Sequence, residues 1–482
     1  MNRYLIFHIV SFCVAFLGGL NSAFPFSSKE DPALFNILAD MNLPLVVINT
    51  VDNEEPTCDA VDAPDGAWGY GIANATKVPA SMQIILRKDT VYDSGDYIKK
   101  ESGLTVKIRG NSSGRNPKKS FKLKLQKKAD LLLRDDKKYK DKDWVLLRSG
   151  GSLVTPIGLW TSELIGQEWT PAHDIVNVWM NGSYRGLYIL CEQVTVNTDC
   201  RIVVDESDGY VVESDPYWWN EEIYFPSTLT VPQLKFTYKY PDPEDITDEW
   251  NVAISNDVID HEARIKDGTF DEVFDCESFA KWLVGWELLG NADSAGGNMY
   301  VVKKDSSSKI CMGPMWDFDN ALIILDDWIG LHYRWFYFHH LLQSPNDSFR
   351  KSFYQVWKEK GSGIVDNLID RINTFADSPA GEDYQVSIGF QMKLEIPADY
   401  SMPYIGNLEF MRSYAVDFLT KRAEWIDSHI DNETSVAWNC TQSLGNDAKY
   451  IYDILGRFVK PEAHGFYIVR MSDGTTKKVM KR

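Results

Sequence analysis

The period of the hydrophobic pattern changes about halfway along the chain. In the first half, short apolar runs alternate with polar residues, which is typical of half-buried strands. Ser120–Leu125 is the clearest case, because its apolar residues alternate strictly with two lysines. In the second half, apolar residues recur at helical spacing, as in Cys276–Leu289. A sheet-rich half followed by a helix-rich half predicts an α+β fold.

The same patterns predict the individual elements. Strands are expected at 43–49, 82–87, 104–108, 120–125, 144–147, 174–180, 184–190 and 209–213, with a strand pair at 299–302 and 310–315. Helices are expected at 156–168, 244–265, 276–289, 348–360, 363–375 and 408–430. Asn181–Gly182 is a strong hairpin signal. The sequence therefore predicts a mainly antiparallel sheet followed by helices, arranged as two lobes around a cleft.

The two ends of the chain differ from the rest. Residues 1–23 combine Arg3, an apolar run over 5–20 and small residues up to Ala23, which predicts a signal peptide cleaved after Ala23. We therefore expect a secreted or cell-surface protein with no integral membrane segment after cleavage. Residues 448–482 form a small β appendage with a basic end. It resembles the sorting tails of proteins exported by the type IX secretion system, and an ordinary terminal hairpin is the alternative.

Charge and cysteine spacing restrict the function. A formal net charge of −19 argues against a nucleic-acid partner, because phosphate backbones are bound by basic surfaces. It is compatible with divalent cations and with basic protein substrates. No cysteine pair has the spacing of a structural zinc site. Cys191 and Cys200 are close enough in sequence to bridge across a hairpin, and isolated buried thiols are the alternative.

The strongest group of candidate catalytic residues lies around the predicted strand pair at 299–302 and 310–315. Asp293 and Asn298 are five residues apart, and Asp317 begins an Asp-Phe dipeptide after the strand pair. Phosphoryl transfer needs one carboxylate to orient the attacking hydroxyl, and an amide with a second carboxylate to hold magnesium. The order and spacing match this requirement. Asp319 replaces the glycine of the protein-kinase pattern and is a further candidate metal ligand. A hydrogen-bonded surface loop is the alternative.

A second group is the Gly/Ser-rich turn Arg109–Gly114 and the lysines that follow it. Backbone N–H groups in such a turn can bind phosphate oxygens. The lysines could supply a phosphate-pairing charge, and the strand glutamates Glu192 and Glu213 are candidate carboxylate partners for such a lysine. The alternative is a basic hairpin whose lysine face is solvated.

Five motifs together resemble the CotH (spore coat protein H) kinase-like family. They are, in chain order, KIRGNSS…PKKSFKLKL (107–125), VNVWMNGSYRGLYILCEQV (176–194), GYVVESD (209–215), KYPDPEDITDE (239–249) and GPMWDFDNA (313–321). The resemblance covers residues 43–430. It implies an atypical protein-kinase-like fold that binds ATP with Mg²⁺ or Mn²⁺ and phosphorylates proteins, on serine in the spore-coat members. Some members act as adhesins, so a silent binding module is the alternative function.

The resemblance also implies roles for individual residues. Asp293 becomes the catalytic aspartate, and Asn298 and Asp317 become metal ligands beside the candidate Asp319. The residues placed at the nucleotide are Arg109, Asn111, Ser112, Ser113, Lys119, Lys122, Lys124 and Glu192. Among these, Lys124 is expected to pair with phosphate and Glu192 to be its carboxylate partner. Lys122 and Lys119 are rivals for the role of Lys124. The expected partner is a protein carrying a Ser/Thr hydroxyl.

Overall fold

The computed structural model describes residues 31–435 and 448–481, with gaps at 135, 198, 232–233, 292, 294–296, 333–336, 395–405, 453–464 and 472–475. The predicted signal peptide and Cys440 lie outside the described residues.

Eighteen strands and nine helices occur in the described part of the chain. The strands are β1 Leu45–Thr50, β2 Asp59–Asp62, β3 Tyr70–Ala73, β4 Val78–Leu86, β5 Asp89–Asp93, β6 Leu104–Arg109, β7 Ser120–Ala129, β8 Asp141–Arg148, β9 His173–Met180, β10 Ser183–Glu192, β11 Tyr210–Asp215, β12 Tyr224–Pro226, β13 Lys235–Tyr240, β14 Met299–Lys303, β15 Ile310–Met312, β16 Ala448–Tyr452, β17 Gly465–Met471 and β18 Thr476–Lys481. The helices are α1 Pro32–Asp40, α2 Val154–Ile165, α3 Asp248–Asp267, α4 Cys276–Leu289, α5 Ile329–His332, α6 Tyr337–Gln343, α7 Ser348–Ala376, α8 Pro379–Met392 and α9 Leu408–Ser435.

The first sheet closes on itself. Its eight strands run in the order β1-β9-β10-β8-β7-β6-β4-β5, and β4 also pairs with β1. All strands except β5 therefore form a closed barrel. The pairs are antiparallel apart from β1 with β9, which is parallel. The alternating apolar residues of β6 and β7 point into the barrel core, so their polar residues lie on the outer face.

A second sheet and the helices pack outside the barrel. This sheet has the strand order β12-β13-β11-β14-β15, with all neighbours antiparallel. A second hydrophobic core joins the outer side of β1, β9 and β10 to this sheet and to helices α2, α4, α7 and α9. The α+β prediction, with a sheet-rich first half and a helical second half, is confirmed. The terminal strands β16, β17 and β18 form the expected β appendage.

Several element boundaries differ from the prediction. The two helices expected at 348–360 and 363–375 are one helix, α7. A glycine inside a helix costs only about 1 kcal/mol relative to alanine, and the packing of α7 against α4 and α9 offsets the cost of Gly361 and Gly363. Helix α8 is absent from the predicted elements, although Ser378 caps it and Pro379 opens it, which are ordinary start signals.

Two further expectations can be compared with the described residues. The five cysteines there, including Cys191 and Cys200, are free thiols, so the bridge between that pair is not formed. Among the helices of the described ranges, none combines the length and apolar character needed to cross a bilayer.

Candidate active site

A cleft of about 1140 Å³ lies between the outer face of the barrel and the second sheet. One side carries Lys107, Arg109, Lys122 and Arg148, from strands β6, β7 and β8; we call this set the cation wall. The other side carries Asp293, Asn298 and residues 316–320. These residues and Asn291 lie directly before β14 or after β15, and we call them the carboxylate loops.

Strand periodicity builds the cation wall. On β6, Leu104, Val106 and Ile108 fill the barrel core. Lys107 and Arg109 therefore face outward into the cleft, and Lys107 is in register with Lys122 of the next strand. The alternation that could have produced a solvated lysine face instead places these cations inside a cleft.

Arg109 faces the carboxylate loops. Its guanidinium lies 5.7 Å from the ring centre of Trp316, the residue before Asp317. Burial lowers the pKa of Arg109, whereas the nearby Tyr300, Asp317 and Glu213 oppose that effect. Within the described residues its guanidinium forms no hydrogen bond or ion pair. Its N–H donors are therefore available to an anion in the cleft.

The Gly/Ser-rich turn forms one rim of the cleft. Gly110 has a φ of 97°, and a Cβ there would come within 2.2 Å of the Ser113 hydroxyl. The turn is supported from outside by the Asn220 amide, which donates to Asn111 Oδ1 at 3.4 Å. Asn111, Ser112 and Ser113 all line the cleft, and their contact with a nucleotide stays a prediction.

Asparagine side chains join the carboxylate loops to each other. Asn298 Nδ2 donates to Asp317 Oδ2 at 3.2 Å, and Asn291 Nδ2 donates to the Asp317 carbonyl at 3.2 Å. From the loop after β15 to the loop before β14, Asn320 Nδ2 donates to Asp293 Oδ2 at 2.9 Å. Both Asn298 and Asp317 have left-handed backbones, with φ of 55° and 71°. The loops thereby hold the two predicted catalytic carboxylates at one place.

The Asp317 carboxyl lies in an environment that disfavours its charge. Burial raises its pKa to about 7, with the neighbouring Asp319 and Asp293 acting in the same direction and Arg109 opposing them. Asp319 itself lies 3.4 Å from the Arg148 guanidinium. Because carboxylates that repel one another are stabilised by a cation between them, this environment suits a divalent ion.

The oxygen ligands offered by the carboxylate loops are of the type that magnesium prefers. Asp317, Asp319 and Asn298 offer carboxylate and amide oxygens, which are the ligands that hard cations prefer. Among the described residues, no three His, Cys, Asp or Glu side chains form a ready-made metal-binding group. The candidate set accordingly consists of two carboxylates and one amide, and nucleotide oxygens and water would complete the coordination.

Phe318 anchors the loop between Asp317 and Asp319. Its ring stacks on Trp286 of α4 with centroids 5.1 Å apart. It also lies against Gly158 of α2, where a Cβ would come within 2.1 Å of the ring. The positions of the two aspartates therefore depend on helices distant in sequence.

Three predicted nucleotide residues lie outside the cleft. Lys119 Nζ donates to the Gly114 carbonyl at 2.8 Å. Lys124 Nζ lies 3.4 Å from Asp143. Glu192 accepts from Arg134 at 2.7 Å and from the Ala172 N–H at 3.0 Å. The predicted pairing of Lys124 with Glu192 is therefore wrong, because each is bound to another partner. Lys122 does line the cleft.

The structure contains a different lysine–glutamate pair inside the cleft. Lys239 Nζ lies 2.6 Å from Glu213 Oε2, on neighbouring strands β13 and β11. The sequence indicates Glu213 only as one of two strand glutamates that could pair with a lysine, and it places Lys239 in a family motif without a role. The pairing could not be read from the sequence, because it depends on β13 being the neighbour of β11 and on the register that pairs Thr237 with Glu213.

Comparison with known proteins gives one family. The model of the CotH kinase protein family matches residues 106–426, which is more than half of the 482-residue chain. The match includes the whole cation wall and both carboxylate loops. A search of curated proteins found no match. The extent of the family match shows that this chain belongs to the CotH kinase family.

Proposed function

We propose that this protein is a secreted atypical protein kinase that transfers the γ-phosphate of ATP to a protein Ser or Thr hydroxyl. The observation that carries the proposal is the juxtaposition of Asp293 and Asp317 in one cleft, opposite a wall of cations. Secretion rests on the pattern of residues 1–23.

The two walls divide the work of phosphoryl transfer. The cation wall and the Asn111–Ser113 turn would bind the phosphate chain, and Arg109 would contribute guanidinium N–H donors to it. Asp317, Asp319 and Asn298 would hold a magnesium ion. When bound, that ion neutralises charge on the phosphate oxygens. Positioning and electrostatic stabilisation supply most of the catalysis in reactions of this class.

Asp293 would act on the acceptor hydroxyl of the protein substrate. Its carboxylate orients the hydroxyl and takes its proton as the oxygen–phosphorus bond forms and the bond to the leaving ADP breaks. Asn320 holds one carboxylate oxygen of Asp293 at 2.9 Å. This contact fixes the direction of the second Asp293 carboxylate oxygen. An acceptor hydroxyl that binds to that oxygen is therefore held in one orientation.

The size of the cleft is consistent with two substrates. Small-molecule sites typically occupy about 300–1,000 Å³, and this cleft has about 1140 Å³. It can therefore accommodate a nucleotide together with a short segment of a protein substrate.

The test is a transfer assay with radiolabelled ATP and Mg²⁺ or Mn²⁺ on the full chain and a panel of candidate proteins. We expect labelling of the protein or a substrate in the wild type. Asp293→Ala should reduce it about 10²–10⁴-fold, the usual contribution of a general base, and Asp317→Ala should abolish it. The control is Asp326→Ala, which removes an exposed carboxylate and should leave transfer unchanged.

A catalytically silent binding module is the second candidate. The exposed aromatic residues Trp68 and Tyr70 at the cleft rim favour it, because exposed aromatic side chains are typical of binding surfaces. Absence of transfer in the assay, together with no thermal shift on adding Mg-ATP, would contradict the kinase proposal and support this one.

A further inference from the structure

Lys239 occupies an irregular position in the second sheet. Val211 of β11 pairs with Tyr240 and Val212 pairs with Tyr238, so Lys239 has no partner across the pair. This is a β-bulge, and bulges are frequent beside active sites. Lys239 lies two residues after Thr237, the cross-strand partner of Glu213, so strand alternation places Lys239 and Glu213 on the same face of the sheet. Both side chains line the cleft.

Glu213 connects this lysine to the opposite wall. It receives the Lys239 ammonium at 2.6 Å. Tyr300 of β14 lies on its other side, where the two residues are in direct register, and burial together with the Glu213 carboxylate raises the pKa of the Tyr300 hydroxyl. Burial lowers the pKa of Arg109, which lies on the barrel, and the negative charge of Glu213 raises it. Glu213 thus binds Lys239 directly and lies near enough to Arg109 to raise that residue's pKa.

Lys239 keeps its charge in this position. Burial by itself would lower its pKa, but Glu213, Asp215 and Glu221 raise the pKa above its ordinary value. Its side chain is 28% exposed, against 8% for Glu213. Within the described residues Glu213 is its one bonded partner, so other ammonium N–H donors remain available to a ligand.

We propose that Lys239 of the second sheet and Arg109 of the barrel form a clamp for a polyphosphate chain, with Lys239 positioned by Glu213 and Tyr300 of the second sheet. The clamp rests on the proposed function and deepens it, since it assigns to Lys239 and Glu213 the role that the family resemblance implied for Lys124 and Glu192. Lys239 contacts the phosphate oxygens, whereas Glu213 and Tyr300 are positioning residues.

The test is calorimetric binding of three probes to the full chain: Mg-ATP, inorganic tripolyphosphate and adenosine. Lys239→Met should weaken tripolyphosphate and Mg-ATP binding about tenfold or more, as expected for loss of a charge-assisted contact. Adenosine binding should not change. Lys124→Met is the matched control, since it removes the same charge from a lysine that lies outside the cleft, and it should bind all three probes as the wild type does.

Three results would overturn the clamp. They are tripolyphosphate binding by Lys239→Met as in the wild type, no tripolyphosphate binding by the wild type, or an equal loss of adenosine binding in the variant. If Lys239→Met alters the circular dichroism spectrum, Lys239→Gln gives the same comparison, because its amide can still donate to Glu213 without carrying charge.

The experiments can contradict the clamp proposal and the kinase proposal separately. If the protein binds tripolyphosphate through Lys239 but transfers no phosphate, the clamp proposal stands and the kinase proposal is contradicted. If the wild type and Lys239→Met transfer phosphate equally well and bind tripolyphosphate equally, the kinase proposal stands and the clamp proposal is contradicted.

Discussion

The cation wall and the carboxylate loops face the same cleft but are built differently. The cation wall lies on regular strands, where a period of two sends every second residue outward. The carboxylate loops contain residues with left-handed backbones, asparagine cross-bonds and a phenylalanine anchored in distant helices. One wall follows from local pattern, and the other from packing between segments far apart in sequence.

This difference suggests that the two walls respond differently to mutation. A side chain on the barrel can be changed without moving its neighbours, because the strand ladder holds the backbone. In the carboxylate loops, a change in packing should move several functional groups together. The following predictions test that contrast, from the largest expected effect to the smallest.

Gly158→Ala should disturb the carboxylate loops most. The added Cβ would lie 2.1 Å from the Phe318 ring, which must shift and carry Asp317 and Asp319 with it. We expect a loss of about 1–3 kcal/mol in the free energy of unfolding, as is usual for overpacking, and loss of phosphate transfer. Thermal denaturation and the transfer assay measure the two effects.

The matched control is Gly363→Ala, at a helical glycine where an added methyl group would meet no atom within 4 Å. It should be neutral or stabilising by about 0.5–1 kcal/mol, because alanine is the better helix former. Equal behaviour of the two variants would contradict the anchoring role of Phe318.

Asn320→Ala should slow transfer without weakening nucleotide binding. It removes the 2.9 Å bond that fixes the Asp293 carboxylate, and a hydrogen bond to a charged group is worth about 1.5–3 kcal/mol. We expect kcat to fall about ten- to a hundredfold, with KM for ATP unchanged. A rise in KM with constant kcat would instead place Asn320 in nucleotide binding.

Asp215→Asn should flatten the pH dependence of stability. Burial, with Glu213 beside it, raises the pKa of Asp215 to about 7, above its ordinary value of 3.8 in an unfolded chain. The folded protein therefore holds this proton more tightly, and the free energy of unfolding falls as the pH rises from 3.8 to about 7. The drop in melting temperature between about pH 5 and pH 8 should be smaller in the variant, and an unchanged drop would contradict this.

Lys122→Met should have a small effect on nucleotide affinity. Lys122 and Lys124 both lie near Asp143, at 3.5 and 3.4 Å, but only Lys122 lines the cleft. We expect Mg-ATP binding to weaken about two- to fivefold in Lys122→Met, the range of a partly screened contact. Lys124→Met should bind like the wild type. A larger effect from Lys124 would reverse the assignment of the cation wall.

Much of the fold can be predicted from the sequence because period and turn chemistry are local. Strand β7 is predicted at 120–125 and helix α4 at 276–289, close to their observed bounds. Strand β12 escapes prediction because it has only three residues, and β13 is missed although its residues alternate between polar and aromatic. The predicted division of α7 near Gly361 is wrong, since tertiary packing outweighs one unfavourable residue.

The sequence by itself determined the fold class, the family and the order of the candidate aspartates, because these depend on periodicity and on motif spacing along the chain. Only the tertiary structure decided which lysine meets which glutamate. Lys124 and Glu192 have other partners, whereas the pairing of β13 with β11 brings Lys239 to Glu213 inside the cleft. The physical reason is that ion pairing depends on side-chain direction and on strand register, and both follow from how segments distant in sequence pair.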